Sequence, residues 1–175
     1  IVVMDRNEAI KIIAAKEYET ITKEDRELLV YSGWGLDESD EEFYLMSKDL
    51  QEELLKFDAP QGDIMSSKYD MLAKIACEAR YCNYLNEELE NELLKIEGNP
   101  IMVEGKNPAR YPCPCCGKKT LSMYAEYDIC SNCGWEDSGC WKDEDYSSPN
   151  HMTLGEGREN YRLYGRCDIP KSIRN

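Results

Sequence analysis

Two pairs of cysteines carry the most legible chemistry in this chain of 175 residues. Cys113-Pro114-Cys115-Cys116-Gly117 and Cys130-Ser131-Asn132-Cys133-Gly134 each set two thiols at the spacing Cys-x-x-Cys, with glycine directly after. A turn of that size lets both sulfurs face one ion, and the glycine accepts the positive φ that frees nearby amides to point at thiolates. Two such turns predict one tetrathiolate site made of Cys113, Cys116, Cys130 and Cys133 and holding one zinc per chain. Spacing does not separate zinc from iron. With all four positions filled by protein, no place is left for water or substrate, so the expected metal is structural.

Other uses of these sulfurs are weaker. Disulfides need an oxidising compartment, for which no export signal speaks. A redox Cys-x-x-Cys normally comes singly, at the start of a helix in a βαβ context. Cys115 sits inside the first turn, where it reads as a packed thiol, with a spare ligand or a reactive group as the alternatives. Cys140 follows Cys133 by seven residues and reads as structural, as do Cys77, Cys82 and Cys167. His151 is the only histidine and stays off the metal.

These cysteines need elements to hold them. Residues 117–129 predict two short strands, 118–124 and 127–129, that return the second pair to the first. Thr153 with Glu156 forms a capping-box pattern for a helix to about Tyr164, ended by Gly165. Leu154, Tyr161 and Tyr164 are placed to cover the ribbon, Trp135 and Trp141 to fill its core, and Asn150 and His151 to hydrogen-bond the preceding loop. The acidic stretch from Glu136-Asp137 to Asp143-Glu144-Asp145 reads as a solvated loop, with partner binding as the alternative.

The ordered series Tyr111-Pro112-Cys113-Pro114-Cys115-Cys116-Gly117, Ile129-Cys130, Cys133-Gly134-Trp135-Glu136-Asp137, Asn150-His151-Met152-Thr153-Leu154 and Arg158-Glu159-Asn160-Tyr161 resembles the bacterial CPCC family of cysteine-rich proteins over about residues 111–165. The resemblance implies a small zinc-bound domain and a bacterial setting, and by analogy a toxin-neutralising immunity role. Gly155 and Gly157 depart from the helix formers of that family, so the final helix is expected to start late or fray.

The rest of the chain is acidic. The formal net charge is −14. Residues 1–105 hold 11 Lys or Arg against 25 Asp or Glu, whereas residues 106–175 hold 10 of each. The first stretch predicts five helices: Asp5 to Tyr18, Thr22 to Gly33 with a Leu28-Leu29 stripe, one after Ser47 carrying Leu50, Leu54 and Leu55, Ser66 to Tyr81, and Asn86 to Gly98. Ile101-Met102-Val103 reads as a short strand before a linker. Residues 1–3 precede Met4, which looks like a natural initiator, and are set aside. The expected fold class is α+β: an acidic helical domain over 1–105 and a zinc-ribbon module with a C-terminal helix over 106–175.

A chain this acidic lacks the basic footprint of a dedicated nucleic-acid or anionic-membrane binder. No apolar run reaches the roughly 18 residues of a membrane span and no signal sequence opens the chain, so a soluble cytoplasmic protein is expected. No Ser-His-Asp set, phosphate-cradling loop or open metal site is present, which points away from an enzyme. The leading reading is an immunity or inhibitor protein that neutralises a basic protein partner such as a nuclease toxin. Its candidate surface is Asp37, Glu38, Asp40, Glu41 and Glu42 with the aromatics Trp34, Phe43 and Tyr44; the bland alternative is that the charge serves solubility and the rings are core. A nucleic-acid-associated zinc ribbon using Arg110, Lys118 and Lys119 is the second reading.

Overall fold

The computed structural model describes residues 1–173 and divides the chain into two compact units, Ile1–Asn107 and Pro108–Asn175. The fold is α+β. No helix among the described residues is long and apolar enough to cross a membrane.

The first unit opens with strand β1 (Val2–Asp5), followed by α1 (Arg6–Tyr18), α2 (Lys23–Ser32), a 3-10 turn (Glu41–Leu45), α3 (Lys48–Lys56), a second 3-10 turn (Ser67–Tyr69), α4 (Asp70–Ala79), α5 (Asn86–Glu97) and strand β2 (Ile101–Glu104). Val2 and Val3, which precede Met4, are part of the fold. They pair with Ile101 and Met102 in a parallel ladder that continues to Asp5 and Glu104. A parallel pair needs a long crossover, and the helices supply it. Helix starts follow cap chemistry: the Asp5 carboxylate accepts from Asn7 N, Thr22 Oγ1 from Asp25 N and Ser47 Oγ from Leu50 N.

α1 packs on α4 and α5, and α2 packs on α4. The larger core gathers Leu29, Val30, Leu50, Tyr69 and Leu72, and the smaller joins Ile10 and Ile13 to Leu89, Leu93 and Val103. Leu28 and Leu55, expected on buried stripes, are exposed instead. Arg26 takes an interior place on α2. Its Nε donates to Ile64 O, its guanidinium to Tyr18 Oη and Ser66 O, and it pairs with Asp70 at 2.8 Å. Buried Glu53 accepts from Tyr69 Oη and Gln61 N and pairs with Lys68. These two ionic groups satisfy the backbone of the irregular stretch before α4, which a purely apolar core would leave unpaired.

The second unit contains β3 (Tyr111–Pro112) paired antiparallel with β4 (Lys119–Leu121), a hairpin of β5 (Tyr146–Ser147) and β6 (Met152–Thr153), and α6 (Leu154–Tyr164). The ribbon differs from expectation. Residues 127–129 form no regular strand: an isolated bridge joins Ile129 to Glu136, with Tyr127 N donating to Asp137 O and Asp137 N to Asp128 O. The Asp128 carboxylate captures both Ser122 N and Ser122 Oγ, while Ala125 and Tyr127 adopt positive φ, so the chain turns where a strand was expected. α6 also starts at Leu154 rather than late, because the Thr153–Glu156 capping box forms. Gly157 is there for space: a Cβ would stand 2.7 Å from Cζ3 of the fully buried Trp135.

Candidate metal centre

The two cysteine turns have one design. Cys113 N donates to Lys118 O and Gly117 N to Cys113 O; Cys130 N donates to Trp135 O and Gly134 N to Cys130 O, all at 2.8–2.9 Å. Gly117 and Gly134 take φ of 77° and 83°, the left-handed region in which glycine carries no Cβ penalty. The repeat brings Cys113, Cys116, Cys130 and Cys133 together, with all four sulfurs within 4.8 Å of one another. Cys113 to Cys133 and Cys116 to Cys130 are each 3.7 Å apart, so each close contact joins one turn to the other. A tetrahedral metal with bonds of about 2.3 Å to sulfur sets its ligands about 3.8 Å apart, whereas a disulfide needs about 2.05 Å. The arrangement fits a metal ion.

Hydrogen-bond donors surround the sulfurs. Thr120 Oγ1 lies 2.9 Å from the Cys130 sulfur. The Cys133 thiol and the amides of Cys116 and Cys115 bring Cys113 down to about 5, although burial opposes them. Cys133 moves up, chiefly through its contact with Cys113, and burial raises Cys116. One negative charge is therefore readily shared by the Cys113–Cys133 pair. Placing four there needs a cation, because crowded thiolates repel one another and resist leaving water.

Residues 111–174 match the family model described as cysteine-rich CPCC. That stretch belongs to the CPCC family. The match lies within the second unit and takes in both cysteine turns, the hairpin and α6. No curated protein and no solved structure matches the chain.

Around the four CPCC sulfurs the sequence left several partners unseen. Thr120 and Asn132 donate toward Cys130 and Cys116, and nothing in their spacing marks them. Cys115 and Cys167 are buried in the same core, and Cys167 N donates to Cys133 O. Cys140 joins that core too, while Cys77 is buried in the first unit, where burial pushes its thiol up to about 11. His151 is exposed, at a positive φ of 56° in the β5–β6 turn, outside the sulfur cluster. Asn150 bonds both the N–H and the carbonyl of Glu136.

The candidate partner surface divides. Asp37, Glu38, Glu41 and Glu42 are exposed, Asp40 is half-buried, and exposed Tyr44 donates from its hydroxyl to Glu38 O. Trp34 and Phe43 are not surface anchors. Both lie in the larger core, where Trp34 Nε1 donates to Phe57 O and the indole meets the Tyr69 ring, so neither is offered to a partner. Trp141 is also misplaced by the sequence reading. It is 64% exposed, and Trp135 alone of the pair fills the ribbon core.

Proposed function

We propose that this is a non-catalytic zinc protein of the immunity type, which binds and neutralises a basic protein partner such as a bacterial nuclease toxin in the cytoplasm. Cys113, Cys116, Cys130 and Cys133 would hold the zinc. When bound, it supplies charge compensation and cross-linking for a unit with few regular elements, and four sulfurs complete its coordination. In keeping with that, no catalytic role is assigned to it.

The observation that carries the partner reading is the acidic face around the first 3-10 turn. Asp37, Glu38, Glu41 and Glu42 stand in solvent, and Phe43 beneath them is locked in the core. Such a face is fixed before binding, so a basic nuclease surface meets charges already in place. Lys118, by contrast, is tied to Asn132 Oδ1 at 3.3 Å, which weakens the second reading of a nucleic-acid ribbon. The test measures association with a candidate nuclease and inhibition of its cleavage. Joint replacement Glu38→Lys, Glu41→Lys and Glu42→Lys should slow association by about tenfold or more at low salt. Unchanged association, or tight binding to plain DNA or RNA that vanishes with Lys118→Glu and Lys119→Glu, would reject the proposal.

A further inference from the structure

Outside the metal centre, the second unit displays a group of aromatic rings that its core does not use. Tyr111, Tyr124 and Trp141 form a row, with ring centroids 4.7 Å and then 5.7 Å apart. Beside it Tyr127 and Tyr146, 60% and 63% exposed, flank an open cavity that Asp145 also lines. Soluble domains rarely leave this much ring surface in water without a use for it.

The loops that carry the rings are held in place. Buried Asp137 accepts Ala125 N on Oδ2 and Gly139 N on Oδ1, joining the loop that carries Tyr124 and Tyr127 to the loop that leads into Trp141. Asp145 Oδ2 accepts both Trp141 N and Lys142 N, which fixes the second loop from its far end. A surface fixed this way loses little freedom on binding.

Charge selects the occupant. The second unit is close to neutral as a whole, yet residues 122–149 contain seven carboxylates and one lysine, and of those carboxylates Asp143 is paired with Arg158. Phosphate backbones and a second copy of this chain are both repelled by that balance. Guanidinium and ammonium groups are attracted by it, and they also bind the faces of tyrosine and tryptophan. We infer that the Tyr111–Tyr124–Trp141 row and the adjoining pocket of Tyr127, Asp145 and Tyr146 form a docking surface for an arginine-bearing segment of a basic protein. The inference rests on the proposed basic partner and adds a second contact site, in the CPCC segment, to the acidic face of the first unit.

The test titrates the 175-residue, metal-loaded chain with a hexa-arginine peptide and, separately, with a single-stranded oligonucleotide. Trp141 fluorescence is the local probe, because Trp34 and Trp135 are buried. Hexa-arginine should perturb it with an affinity that falls as salt rises, and the oligonucleotide should not. Tyr127→Ser with Tyr146→Ser should weaken peptide binding about fourfold or more, since each exposed ring is expected to contribute about two- to fivefold. Metal content measured in the same samples shows whether the double variant remains folded, and Tyr124→Ser provides an independent loss if it does not. Peptide binding unaffected by the ring variants but abolished by Glu38→Lys, Glu41→Lys and Glu42→Lys would overturn this inference while leaving the basic-partner reading standing. Absence of binding to any cationic probe would remove both, and preferential binding of the oligonucleotide would overturn the choice of occupant.

Discussion

Gly157→Ala should destabilise α6 even though alanine is the better helix former. By propensity alone the change gains about 1 kcal/mol. On this backbone the added Cβ would stand 2.7 Å from Cζ3 and 3.0 Å from Cε3 of Trp135, and 3.6 Å from the Cys115 sulfur. The opposing atoms are ring carbons of a side chain with no solvent exposure, so no flexible end can swing clear. Overpacking a filled core costs about 1–3 kcal/mol. A contact this short belongs in the upper part of that range, and subtracting the propensity gain leaves a net loss of about 1–2 kcal/mol. Hydrogen exchange resolved to the peptide covering Leu154–Tyr164, with metal load held equal, reads that loss as exchange faster by about 5–30-fold. Slower exchange in the variant would refute the reasoning, because the ring would then have yielded without cost and helix propensity would decide the sign.

Burial pushes Glu53 up, but the bonds from Lys68, Tyr69 and Gln61 outweigh it and hold the carboxyl below its ordinary value. A depressed native value adds stability above the unfolded carboxylate range near 4.3 and loses it as pH falls toward the native value. Thermal melts of the helical signal should therefore fall in midpoint below about pH 5, less steeply in Glu53→Gln; identical slopes would contradict the assignment. Arg26→Lys should cost about 2–4 kcal/mol in urea unfolding, since one ammonium cannot replace the fork that serves Ile64 O, Ser66 O and Tyr18 Oη; a loss under 0.5 kcal/mol, within the range of surface substitutions, would show those bonds to be dispensable. Chelation should remove ordered structure from the second unit while most helical circular dichroism persists, and complete loss of helix would make the two units one cooperative system.

The cysteine centre was legible because its geometry is local. Each turn closes its backbone bonds within five residues, so spacing and the trailing glycine carry nearly all the information. The helix caps at Thr22, Ser47 and Thr153 were legible for the same reason. What escaped depends on distant partners. Val2 and Val3 form a strand only because Ile101 and Met102 lie beside them. Trp34 and Phe43 flank an acidic run and resemble anchors, yet packing with Tyr69 and other residues far along the chain draws them inward. Residues 127–129 alternate well enough for a strand, but the carboxylates of Asp128 and Asp137 claim the amides of Ser122 and Ala125 and bend the chain instead. Gly157 looked like a helix weakness, and only the Trp135 ring explains it.

Native mass spectrometry of the 175-residue chain, prepared under reducing conditions and paired with elemental analysis, tests the metal centre most directly. The account predicts one zinc per chain, retained in Cys115→Ala and lost in Cys130→Ala. A metal-free wild-type protein, or metal retained when Cys130 is replaced, would contradict it.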